Sequence, residues 1–105
     1  MTPERWSNYA IDQQILMIGS EFARAKSFIT KEDNQETNNC YERAFELLDL
    51  CCYDEKWKTS RLKELLRFRE ILGQAYLATT KDIRFNNQLY QYLLLWHPNT
   101  EKVKI

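Results

Sequence analysis

The chain is poor in the residues that break or bend a backbone. It has two glycines and two prolines in 105 residues, beside an abundance of Leu, Glu, Lys, Gln and Arg. A multi-stranded sheet needs tight turns every few residues, so this scarcity excludes an all-β fold and favours helices joined by a few loops. Histidine is scarcer still, with His97 alone. Three cysteines occur, but Cys40 and Cys51 on one helix would stand about 16 Å apart, beyond disulfide reach, and Cys51 and Cys52 are adjacent. Without a CxxC pair or a histidine cluster, neither zinc nor redox chemistry is expected, and the thiols read as reduced and packed.

Long apolar runs are also missing. The start, MTPERWSNYA, has no signal-like apolar core, and Leu89 to Trp96 is too short to span a bilayer. The expectation is a cytoplasmic protein without a membrane partner. Net charge is zero, which disfavours a protein that coats nucleic acid. That zero hides a sorted distribution: residues 32–55 sum to −7, residues 56–70 to +4, and the flanking stretches 1–31 and 71–105 to +1 and +2. The acidic limb's nearest partner is then the basic limb beside it. The stripe Lys56, Lys58, Arg61, Lys63 and Arg67, with Trp57 nearby, either touches phosphate or forms a solvated face.

What remains is helical periodicity. Ile11, Ile15, Ile18, Phe22, Ala25 and Ile29 recur at spacings of three and four, placing a helix at about 10–29. The run TKEDNQETNN has no apolar anchor and reads as a mobile polar loop at about 30–38. Asn39 with Glu42 resembles a capping box for a helix at about 39–53, whose stripe is Tyr41, Ala44, Phe45, Leu48, Cys51 and Cys52. Trp57 packs the following turn. Ser60 would cap a helix at about 60–78, with Leu62, Leu65, Leu66, Leu72, Ala75 and Tyr76 inward. A last helix at about 86–97 stops before Pro98. The expected architecture is all-α: one domain over residues 1–105, an antiparallel four-helix bundle. The second and third helices would form its tight hairpin.

The last helix differs in kind, because Leu89, Tyr90, Tyr92, Leu93, Leu94, Leu95 and Trp96 cover almost every side. Either a homodimer or partner surface uses Tyr90, Leu93, Leu94 and Trp96, or the other helices wrap this one. A second candidate is a groove for a nucleotide or other small anion. Arg69 falls amid the third helix's apolar face, and a guanidinium there calls for Glu21 or Asp49 beside it. With Arg67 and Glu21 it forms the ligand-binding candidate, against a register-fixing ion pair as the structural alternative. Gly19 inside the first helix points to close approach by a neighbour. No GxSxG, P-loop, GxGxxG, HExxH or EF-hand pattern is present, so no catalytic residues, metal site or cofactor are expected.

The stretches RWSN at 5–8, IGSE at 18–21, ERAFELLDL at 42–50 and RLKELLRFRE at 61–70, with the Tyr-rich last helix, resemble a family of small, uncharacterised, all-helical bacterial and archaeal proteins. Some members are encoded near nucleotidyltransferase-like genes, and their size and makeup are similar to HEPN-type partner proteins. The resemblance implies a nucleotidyltransferase-like protein as a partner. HEPN ribonucleases carry Arg, four to six residues, then His, whereas twelve residues separate Arg84 from His97 here. A ribonuclease reading therefore lacks its motif. Ala10 also departs from the family, which has a helix-capping Ser there. The leading expectation is a non-catalytic interaction or oligomerisation module.

Overall fold

The computed structural model describes residues 1–96, and among them every regular element is helical. The order is α1 (Pro3–Ser7), α2 (Ile11–Thr30), α3 (Asn34–Tyr53), a 3-10 turn (Glu55–Trp57), α4 (Ser60–Leu77) and α5 (Ile83–Leu94). His97 and the end of the helix expected at 86–97 lie outside the described residues. No helix among the described residues is long and apolar enough to cross a membrane.

Helix α1 was not expected from periodicity, because five residues are too few to show any. Thr2 caps it by accepting from the Arg5 amide at 3.2 Å, Pro3 starts it, and Trp6 is wholly buried. Helix α2 begins where expected. Ala10 stands at its N-cap without a side-chain acceptor, and the Gln13 side chain accepts from the Ala10 amide at 2.9 Å.

Residues 34–38, read from the sequence as loop, are the first turns of α3. Their cap is Asp33, which accepts from the Glu36 amide at 3.1 Å, in place of the expected Asn39. Polarity misled here because this turn of helix buries only Thr37 and Cys40, and a helix needs one inward residue per turn, not an apolar run. The connection from α2 shrinks to Lys31, Glu32 and Asp33. It closes as a Schellman motif, with Asp33 N–H donating to Phe28 C=O at 2.9 Å and Glu32 N–H to Ile29 C=O at 3.0 Å. Glu32 takes the left-handed position at φ 58°.

The tight pair is also not the one expected. Helix α2 lies along both α3 and α5, whereas α3 and α4 touch more sparingly. The core follows: Ile15, Ile18, Phe22 and Ala25 of α2 meet Cys40, Tyr41, Ala44 and Leu48 of α3 and Leu89 and Leu93 of α5. Helix α4 contributes Leu65, Phe68, Leu72 and Ala75, while Leu66, expected inward, is exposed. Its cap is Thr59, one residue before the expected Ser60.

Candidate functional site

Helix α5 is fixed in place by polar contacts at both ends and its middle. Asp82 caps its start by accepting from the Arg84 amide at 2.9 Å. Just before it, Lys81 Nζ donates to the carbonyls of Ala75, Tyr76 and Ala78 at 3.0, 2.8 and 2.7 Å. All three ammonium protons therefore cap the C-terminus of α4, and none is left for an anion in the open 690 Å³ cleft beside Thr80 and Ile83. Asn86 is wholly buried, donating to Phe22 C=O at 3.0 Å and accepting from the Tyr41 hydroxyl at 2.9 Å. Burial raises the Tyr41 pKa far above its ordinary value, so that hydroxyl stays a donor. Gly19 lets the Tyr90 ring approach: a Cβ there would stand 3.1 Å from Cε1. At the far end Arg61 Nη1 donates to Trp96 C=O at 2.9 Å.

Between α4 and α5 lies an apolar cleft of 160 Å³ lined by Phe68, Ile71, Phe85, Gln88, Leu89 and Tyr92. Phe68 is its floor. Its ring stacks on Tyr92 at 6.1 Å and 13° and meets Trp96 edge-on at 5.1 Å; Trp96 in turn packs on Trp57. Tyr92, in the lining, is 39% exposed, and Leu95, three residues further on, is 64% exposed. From Ile83 to Trp96 only Arg84 is charged, whereas each of the three other long helices carries four or more charges.

The residues expected from the sequence at a partner surface are mostly not the exposed ones. Leu93 and Leu94 are core residues, Tyr90 is half-buried against Gly19, and Trp96 is half-buried among Trp57, Phe68 and Tyr92. The other helices wrap that side of α5, and what is left open is the side with Gln88, Tyr92 and Leu95. The residues missed were Phe68, Ile71 and Phe85. Phe68 was within reach, since it falls three after Leu65 and four before Leu72.

The anion-groove candidates do not converge. Arg69 Nε donates to Asp49 Oδ1 at 2.9 Å, with both side chains about half exposed, and its guanidinium lies over Phe45 at 5.2 Å. Asp49 is the expected partner, but at the rim and not within the bundle. The hydrogen bond to Asp49 raises the Arg69 pKa further. Glu21, nearly buried, is held by Arg43 and Arg24, each at 3.1 Å. Arg67 precedes Arg69 by two residues and so projects from almost the opposite side of α4. The basic stripe is mostly committed too: Lys56 pairs with Asp54, Lys58 with Glu55, and Arg61 with Trp96.

A second polar cluster is buried under α1. Gln14 donates to Trp6 C=O at 2.9 Å and Asp54 Oδ2 at 2.8 Å, and accepts from Trp57 Nε1 at 2.7 Å. Lys56 Nζ joins Asp54 to Ser7 C=O. Burial works against the Asp54 carboxylate, but the bonds from Gln14 and Lys56 outweigh it and hold its pKa below the ordinary value. The thiols go the other way: burial pushes Cys51 up to about 12, and Cys40 and Cys52 are also raised by burial. No group of three His, Cys, Asp or Glu is arranged to hold a metal among the described residues.

The geometry thus leaves an apolar cleft between α4 and α5 and polar clusters that fasten helices. Comparison with protein-family models, with curated proteins and with solved structures finds no match.

Proposed function

We propose that this protein is a non-catalytic interaction module that works as a homodimer, its four long helices forming an antiparallel bundle that presents the α4–α5 face. One observation carries the reading. The stretch from Ile83 to Trp96, α5 and its C-terminal turn, bears a single charge over fourteen residues, yet leaves Tyr92 and Leu95 exposed, Tyr92 in the lining of an aromatic-floored cleft. Charge depletion with exposed aromatic and aliphatic groups is the composition of an interface centre. The buried ionisable groups support the non-catalytic part: Glu21 and Asp54 are held by ion pairs, Tyr41 is bound to Asn86, and the thiols are raised.

The test is solution mass by light scattering after size exclusion, over a tenfold range of concentration. Twice the 12.7 kDa of the chain, dissociating on dilution, is the expected result. A chain that stays at 12.7 kDa throughout would refute the homodimer.

A further inference from the structure

We infer that the α4–α5 cleft is the seat of Leu95 from a second copy of this chain, the two α5 helices crossing antiparallel about a two-fold axis beside Tyr92. The inference rests on the homodimer reading above and adds to it the face, the direction and the anchoring residue.

The cleft and the group that would fill it lie on one row of one helix. Gln88, Tyr92 and Leu95 follow one another at four and three residues, so they share a side of α5. Leu95 is the most exposed apolar residue of that row, and the cleft begins at the residues preceding it. Leu95 cannot enter its own cleft fully, because Phe85 at the other end lies ten residues back, roughly 15 Å along the axis. In an antiparallel pair centred on Tyr92, position 95 of one copy faces position 89 of the other. Each Leu95 then projects onto Gln88, Leu89 and Tyr92 of the second copy, over the floor made by Phe68. A two-fold arrangement fills both clefts at once, which is what an isologous interface requires.

Charge selects the same occupant. The lining of the cleft is Phe68 and Ile71 on α4 and Phe85, Gln88, Leu89 and Tyr92 on α5, and none of these side chains is charged. With no ion in that lining, neither an acidic nor a basic peptide is favoured over a neutral face. The chain itself supplies such a face in α5. Its one cation, Arg84, lies eight residues from the axis, so the two copies of Arg84 stand roughly 24 Å apart, well beyond the screening length at physiological salt.

The test is disulfide trapping. In Gln88→Cys/Leu95→Cys the two thiols of one chain are about 10 Å apart along the helix, too far to close on each other, so oxidation links only separate chains. Under a mild oxidant we expect this variant to run at twice 12.7 kDa, while Leu95→Cys alone and the wild type, with its own three cysteines, stay unlinked. Leu95→Glu, at an exposed position, should keep the wild-type helix content by circular dichroism and halve the mass measured by light scattering. Efficient linking through Leu95→Cys alone would mean a different alignment and overturn the inference. So would a dimer that survives Leu95→Glu, although the homodimer reading would then stand on another face. A wild type that is monomeric at every concentration would overturn both.

Discussion

At the scale of single residues, this chain stores strain where glycine is usually found. Glu32 occupies the left-handed position of the Schellman turn that ends α2, and a side chain there costs about 1 kcal/mol or more relative to glycine. Glu32 is exposed, and its side chain makes no hydrogen bond or ion pair with the described residues. Glu32→Gly should therefore raise the stability by roughly 1 kcal/mol in denaturant titration, reversing the usual cost of glycine. The two native glycines divide for an equally local reason. A Cβ at Gly73 meets nothing within 4 Å, so Gly73→Ala should add about 0.8 kcal/mol, the ordinary helix propensity difference. At Gly19 the same gain is opposed by the Tyr90 ring at 3.1 Å, and Gly19→Ala should come out below Gly73→Ala. Equal effects at the two positions would show that Tyr90 does not hold α5 against α2 as closely as the geometry has it.

At the scale of elements, the five-residue α1 depends on side chains from elsewhere. Gln14 and Lys56 fasten it through the carbonyls of Trp6 and Ser7, and both in turn hold Asp54. Because the Asp54 pKa is lower in the folded chain than in the unfolded one, its contribution is complete above the unfolded carboxylate value of about 4 and is lost as pH falls through the folded value. Asp54→Asn puts an amide N–H or a lone carbonyl where two acceptors are needed. It should cost about 2 kcal/mol at neutral pH, and the gap from wild type should narrow below about pH 4. Denaturant melts at both pH values would check this, and a gap independent of pH would mean that the carboxylate charge is immaterial. This cluster was not legible in the sequence, since Gln14 and Asp54 meet across forty residues and Gln14, although three after Ile11 and four before Ile18, is a polar residue on an apolar stripe. The long helices were legible because a stripe repeated over three or more turns is hard to imitate. Their ends were not: the stop after α2 lacks the glycine that normally marks it, and the start of α3 is too polar to announce itself. Half of the candidate surface was readable for the same reason. The apolar excess of α5 stood out, but which of its sides faces out depends on Asn86 being pinned by Phe22 and Tyr41, a contact made by residues far apart in the chain.

At the scale of the whole molecule, the zero net charge is a local balance more than a long-range one. Short pairs take up part of the −7 and +4 segments: Asp54 and Glu55 meet Lys56 and Lys58 in the turn after α3, and Asp49 meets Arg69 from α3 to α4, while Arg43 of the acidic segment reaches Glu21 of α2. The exposed side of α5, by contrast, carries almost no charge, and it is the face proposed for association. An association made there should be governed by apolar burial, whose strength changes little with moderate salt. Binding to a phosphate polymer or an anionic ligand through Arg67 and Lys63 would instead weaken steeply as counterions compete. Raising sodium chloride from about 0.05 to about 0.5 M should accordingly shift the dimer dissociation constant, measured by analytical ultracentrifugation, by less than roughly threefold. A loss of ten-fold or more would show that ion pairs, not Tyr92, Leu95 and the floor of Phe68, hold the two copies together. The acidic and basic limbs of two chains would then be the surfaces that meet.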